Sequence, residues 1–116
     1  MSRSAWQRKA PDAYWAKGDT APAISEQLFD GNNVAVDLTG ATVRFEGRFM
    51  DSASVSQLID QAATVVTPAT GIVSYTPVAG DTDTSGDLLV RWKVTFQGGA
   101  IEHFPNSNHQ KVRVVA

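Results

Sequence analysis

The acidic segment at residues 81–87 is the part of the sequence that comes nearest to a metal-binding motif. Asp81, Asp83 and Ser85 alternate ahead of Gly86, as oxygen ligands do in the first half of an EF-hand calcium loop. The position that should supply a closing bidentate Glu is Trp92. The sequence therefore predicts a polar turn that leads into a strand and no bound metal, with a weak cation site at Asp81, Asp83 and Asp87 as the alternative.

The candidates for acid–base or nucleophilic chemistry are few. His103 and His109 are the only histidines, and their spacing fits no metal motif. The sequence contains no Gly-x-Ser-x-Gly, Ser-x-x-Lys or His-Glu-x-x-His pattern that would place a nucleophile beside a base. We therefore expect a protein that is not an enzyme and that needs no cofactor.

The N-terminal residues combine basic and aromatic side chains. Trp6 lies upstream of Pro11 and outside any strand pattern, so it has no evident core of its own. An exposed indole among cations is typical of an anchor at a protein interface, whereas so few charges and aromatics are thin support for nucleic-acid binding. Trp15 and its neighbour Tyr14 have an alternative interpretation, as residues of the first strand that belong to the core. We expect at least one of the two to be a core residue. The predicted partner-binding residues are Arg3, Trp6, Arg8, Lys9 and Trp15.

The elements that would position these residues are β-strands. The chain has thirteen Val and ten Thr but only five Leu, a balance typical of pleated surfaces. In residues 88–96, Leu88, Val90, Trp92, Val94 and Phe96 alternate with polar side chains, which predicts a strand with one buried face. Residues 43–49 and 111–114 alternate in the same way, so Lys111 and Arg113 are expected on a wet face.

Turn signals divide these strands. They lie at residues 30–33, 68–71, 83–86 and 98–99, and are rich in Asp, Asn, Gly and Pro. The segments at 64–67 and 72–75 therefore read as a hairpin, while residues 53–62 also fit a short helix. The predicted fold is all-β: an Ig-like antiparallel β-sandwich of about seven strands over residues 13–116, preceded by an extended arm at 1–12.

Composition narrows the choice of partner. The net charge is −2, from ten basic and twelve acidic residues, so bulk nucleic-acid binding is not expected. The chain has no Cys, hence no disulfide or thiolate metal site. It contains no apolar segment long enough for a membrane span or a signal peptide, so no membrane partner is expected either.

Six short segments resemble, in their order and spacing, the N-terminal domain of the phage baseplate upper protein family. They are KGDTAP at 17–22, VDLTGATVRF at 36–45, ATGIVSY at 69–75, AGDTDTSGD at 79–87, WKVTF at 92–96 and EHFPN at 102–106. The resemblance covers about residues 14–115 and implies an Ig-like sandwich from a phage tail or a prophage-encoded structural protein. Members of that family often continue into fibrous regions, whereas here no fibre is expected after the last strand.

The resemblance implies a non-enzymatic virion structural protein of the tail or baseplate, made in the host cytoplasm. Its partners would be protein subunits of the same virion, copies of itself among them, and neither nucleic acid nor membrane. The alternatives are a capsid decoration or head-to-tail joining protein and, from another class, a carbohydrate-binding or host-adhesion module. A sugar-binding module should present Trp or Tyr on a sheet face or in loops. Trp92, in contrast, lies on the side of its strand that the alternation assigns to the core.

Overall fold

The computed structural model describes residues 13–49, 58–105 and 110–116. Within them lie nine strands and one turn of 3₁₀ helix, Pro68–Thr70. The strands are β1 (Ala13–Ala16), β2 (Ile24–Gln27), β3 (Thr42–Phe49), β4 (Leu58–Ala62), β5 (Thr64–Thr67), β6 (Ile72–Tyr75), β7 (Gly86–Thr95), β8 (Ile101–Phe104) and β9 (Gln110–Val115). The all-β prediction is confirmed, with nine strands rather than about seven.

The strands form two sheets. The larger has the order β1-β9-β7-β3-β4, and β8 lies beside β9 along the same edge of β7; the smaller has the order β2-β6-β5. The chain changes sheet four times, between β1 and β2, between β2 and β3, between β4 and β5 and between β6 and β7, so the two sheets form a sandwich. The prediction of a purely antiparallel fold is wrong at one place, because β1 runs parallel to β9.

Aromatic rings from both sheets pack in the centre of the core. Phe45 of β3 stacks on Tyr75 of β6 at a centroid distance of 4.1 Å, and Trp92 of β7 meets Phe45 edge-on at 5.1 Å. Trp15 of β1 lies 6.3 Å from Phe45. These rings are buried and form part of one continuous core, so they hold the two sheets together.

The two longest strands confirm the predicted alternation. Leu88, Val90, Trp92 and Val94 are buried on β7, and the equivalent positions of β3 are buried opposite them. The predicted exposure of Lys111 is wrong. This residue lies on the outer side of the sheet, as the alternation predicts, but its side chain is only 2 % exposed. Of the ambiguous segment, residues 58–62 form a strand, while residues 53–57 lie outside the described residues.

The predicted hairpin of β5 and β6 is confirmed, and Gly71 makes its turn possible. Gly71 has φ +71°, and a Cβ there would lie 2.7 Å from the carbonyl oxygen of Val36. Its carbonyl accepts the amide of Leu28 at 2.9 Å. The turn is therefore packed against the β2–β3 connection, at a site that only glycine fits without strain.

Candidate functional site

The outer surface of the larger sheet carries most of the chain's basic side chains. Arg44, Glu46 and Arg48 of β3 lie opposite Lys93, Arg91 and Leu89 of β7, and β7 in turn pairs Leu89 with Lys111 and Asp87 with Arg113. Directly paired residues lie on the same side of a sheet. We call this surface the charged face: Arg44, Glu46, Arg48, Asp60, Asp87, Leu89, Arg91, Lys93, His103, Lys111 and Arg113.

The charged face has a charge opposite in sign to that of the whole chain. It holds six of the ten basic residues and three of the twelve acidic ones, a balance of +3 with His neutral. Because the whole chain carries −2, the remaining residues carry −5. Such separation of charge orients an approaching charged partner and favours one way of docking.

Two arginines of the charged face are held by carboxylates. Arg44 Nε lies 2.7 Å from Asp60 Oδ1 on the neighbouring strand β4. Arg113 donates to both oxygens of Asp87, at 2.7 and 3.2 Å. The hydrogen bond to the Asp87 carboxylate raises the pKa of Arg113 above its usual value. These pairs order the two sides of the face.

Lys111 is the buried cation of this surface. Its Nζ lies 4.0 Å from Asp87 Oδ2, and Asp87 is itself mostly buried. Removing an ammonium group from water is costly unless a counter-ion accompanies it. The Asp87 carboxylate therefore pairs with both Lys111 and Arg113. Its negative charge is balanced by residues of the same sheet.

Three basic side chains in the middle of the face have no such neutralisation. Within the described part of the chain, the side chains of Arg48, Arg91 and Lys93 make no hydrogen bond or ion pair. The Nε atom of Arg91 is buried and unpaired. A buried donor without a partner costs about 1–3 kcal/mol, so this atom lowers the stability of the sheet locally.

An open groove lies at this unpaired group. Its volume is about 290 Å³, and its described lining consists of Glu46, Gly47, Arg48, Ile59, Asp60, Leu89 and Arg91. Arg48 and Arg91 give it cationic groups and Glu46 and Asp60 give it carboxylates, while Ile59 and Leu89 are almost wholly buried.

Of the predicted partner-binding residues, the structure describes Trp15. Trp15 is 1 % exposed, and its Nε1 donates to the carbonyl oxygen of Pro22 at 2.8 Å. It is a core residue, as the alternative interpretation has it, and an interface role for Trp15 is withdrawn. Tyr14, the preceding residue of β1, points to the opposite side of the strand and is 55 % exposed. Arg3, Trp6, Arg8 and Lys9 lie outside the described residues.

The acidic turn ahead of β7 does not gather its carboxylates. Asp81 accepts hydrogen bonds from the Tyr75 hydroxyl and from the amide of Val78, whereas Asp87 pairs with Arg113. Burial, and then the Asp81 carboxylate, raise the pKa of Tyr75, so this phenol stays protonated as a donor. Across residues 13–49, 58–105 and 110–116, no three His, Asp or Glu side chains converge as metal ligands.

Chelation is therefore expected to leave the protein unchanged. The carboxylates of Asp81 and Asp87 already have partners from the protein, so a cation would have to displace them. We expect the same melting temperature with EDTA as with added Ca²⁺, measured by circular dichroism. A clear loss of stability on adding the chelator would revive the cation site at Asp81, Asp83 and Asp87.

Of the two histidines, the structure describes His103. His103 Nε2 lies 3.4 Å from Glu46 Oε1 on the charged face. His109 lies outside the described residues. A half-exposed His beside one carboxylate is a common surface pair.

Comparisons with known proteins add no relative. No protein-family model matches the chain. No curated protein matches it significantly. None of the described helices is long and apolar enough to cross a membrane.

Sequence reasoning missed the charged face as a unit. Alternation predicts a polar side for β3, β7 and β9 separately, and each of these sides contains two basic residues. On each of these polar sides Arg and Lys outnumber Asp and Glu, and this excess was a usable signal. The three polar sides form one basic surface only because β3, β7 and β9 are neighbours in the sheet.

Proposed function

We propose that this chain is a non-enzymatic structural subunit of a bacteriophage particle, which assembles with other protein subunits through its sandwich and its N-terminal residues. The observation that carries the proposal is the separation of a +3 charged face from a chain whose other residues carry −5. A rigid sheet with such a face suits repeated, oriented docking between subunits, where many modest contacts are multiplied by symmetry.

The place in the particle follows from the resemblance to the baseplate upper protein family. That resemblance supports a tail or baseplate position, with the chain made in the host cytoplasm and carried in the virion. A capsid decoration or head-to-tail joining protein would use the same physics of docking. The Ig-like arrangement of the two sheets is compatible with each of these positions, since fold does not specify function.

A carbohydrate-binding module has less support. Stacking on a sugar requires exposed aromatic rings held side by side. Among the described residues, the aromatic side chains that are more than one-third exposed are Tyr14, on β1, and Phe29, which follows β2 in the other sheet. They lie on separate elements and make no ring contact with each other, so they do not constitute a platform.

The test is the stoichiometry of the chain in purified particles. We expect it to co-purify with virions through a density gradient at a constant number of copies per particle, measured by quantitative mass spectrometry against a known capsid protein. Symmetric assembly requires that this ratio does not vary between preparations. A chain that stays in the soluble fraction of the lysate, or whose ratio follows its expression level, would contradict the proposal.

A further inference from the structure

The outer face of the smaller sheet is free of charged side chains among the described residues. Directly paired residues lie on the same side of a sheet, and Val73 of β6 marks the inner side because it is fully buried. The outward positions form two rows across the three strands: Ser25, Ser74 and Thr64, then Gln27, Ile72 and Thr67. We call these rows, with Val66 and the adjoining residues 68–70 and 76–80, the uncharged face.

The lack of charge is a property of the whole segment that builds this face. Residues 61–80, which include β5 and β6, contain no Asp, Glu, Lys or Arg, although these make up 19 % of the chain. The charged residue of β2, Glu26, pairs with Val73 on the inner side and accepts a hydrogen bond from Gln110. A sheet face that stays in water usually carries charged side chains, as the charged face of the other sheet does.

The composition of the uncharged face is typical of a contact between subunits. Val66 and Val78 are 53 % and 47 % exposed there. The centres of protein interfaces are depleted in charged residues relative to the rest of the surface. Eleven residues of the face are exposed and three are half-buried, fewer than the about 20–30 residues a side of a standard interface. The face therefore suits a small and weak contact.

We propose that the uncharged face binds the uncharged face of a second copy of this chain across a two-fold axis. A two-fold contact brings one surface against itself, so that surface must be self-complementary. The hydroxyl and amide groups of Ser, Thr and Gln both donate and accept hydrogen bonds, so they find partners in an identical face. The charged face does not meet this condition, because its +3 charge repels a copy of itself.

The chemistry of the partner is limited by the same observation. A charged side chain buried against the uncharged face would leave water without gaining a counter-ion, which is costly. The partner surface must therefore also lack charge. Among the described residues, the surface that meets this requirement is the uncharged face itself.

This inference rests on the proposed assembly role and gives it a partner. The two sheets of the sandwich turn their outer faces in opposite directions, so pairing of the smaller sheets leaves both charged faces on the outside of the dimer. A dimer thus presents the charged face twice. Two weak contacts made by one particle reinforce each other, which suits a subunit of a symmetric assembly.

The test is sedimentation velocity of the purified full chain across a range of concentrations. We expect a monomer–dimer equilibrium with a dissociation constant of about 1 μM or weaker, as for other small interfaces. Raising NaCl from about 0.1 M to about 1 M should leave it unchanged. A contact made by the charged face would instead weaken, because the Debye length falls from about 10 Å to about 3 Å.

Matched variants locate the contact. Ser74 lies on the central strand of the face, so Ser74→Arg places like charges near the two-fold axis and should weaken the dimer by about tenfold or more. Mixing Ser74→Arg with Ser74→Glu should restore dimers, because the two charges are then opposite. Thr95→Arg adds the same charge at a half-buried outward position of the larger sheet and should dimerise like the unchanged protein. Circular dichroism melts check that every variant folds.

Three outcomes would overturn the inference. The first is a protein that stays monomeric at every concentration, and the second is equal weakening by Ser74→Arg and Thr95→Arg. The third is a dimer that is lost in high salt and in Arg48→Glu, which would place the contact on the charged face. A monomeric chain that still enters virions at constant stoichiometry would overturn this inference alone. A dimer with the expected variant pattern that is absent from virions would overturn the proposed function and leave the contact standing.

Discussion

Replacing Trp92 with alanine is expected to lower the free energy of unfolding by about 3–5 kcal/mol, the usual cost of truncating a large core aromatic. Trp92 is fully buried and meets Phe45, which in turn stacks on Tyr75 of the other sheet. The truncation would leave a cavity at the point where the two sheets are joined. Urea denaturation monitored by circular dichroism measures the change.

The indole also takes part in a buried polar contact. Trp92 Nε1 donates to Gln110 Oε1 at 2.9 Å, and Gln110 in turn donates to the carboxylate of Glu26 in the smaller sheet. Trp92→Phe keeps a ring but leaves the Gln110 acceptor without its donor, so it should cost about 1–3 kcal/mol. Lys93→Ala, at the neighbouring position on the charged face, is the control and should change stability by about 0.5 kcal/mol or less. A Trp92→Ala protein as stable as the unchanged one would contradict the packing of the core.

Deleting residues 1–12 is expected to leave the sandwich folded and to prevent incorporation into virions. The first strand begins at Ala13, and the described core is built from side chains of the strands and connections that follow. Residues ahead of a domain contribute little to its stability unless they dock on it. The melting temperature of the deletion variant should therefore stay near that of the full chain, while its copy number per particle falls to background.

Trp6→Ala should reproduce much of this defect. A buried indole at an interface contributes about 2 kcal/mol or more, and a loss of that size at every copy is multiplied around a symmetric ring. Tyr14→Ala is a suitable control, since Tyr14 is an exposed aromatic beyond the deleted segment. Wild-type occupancy of the deletion variant would show that assembly runs through the charged face, other sheet surfaces or loops. Failure of the deletion variant to fold would place the domain boundary before residue 13.

Local patterns were sufficient for much of the fold. The alternation around Trp92 and Phe45 predicts their buried faces, because a period of two along a strand reflects one face against a core. The turns around Asp30 and Gly71 are predictable too, since side-chain capping and positive φ belong to a few residue types. The parallel pairing of β1 with β9 is not, because its partners lie about a hundred residues apart in the chain.

The amino-acid sequence by itself determined that this chain forms alternating strands with polar outer positions, that it has no Cys, and that its net charge is slightly negative. Only the tertiary structure decided that β3, β7 and β9 are neighbours, and hence that Arg48, Arg91 and Lys111 lie on one face. It also decided that Lys111 is buried beside Asp87 and that Trp15 belongs to the core. The physical reason is that period two sets which side of its own strand a residue faces, whereas the order of strands depends on how the whole core packs.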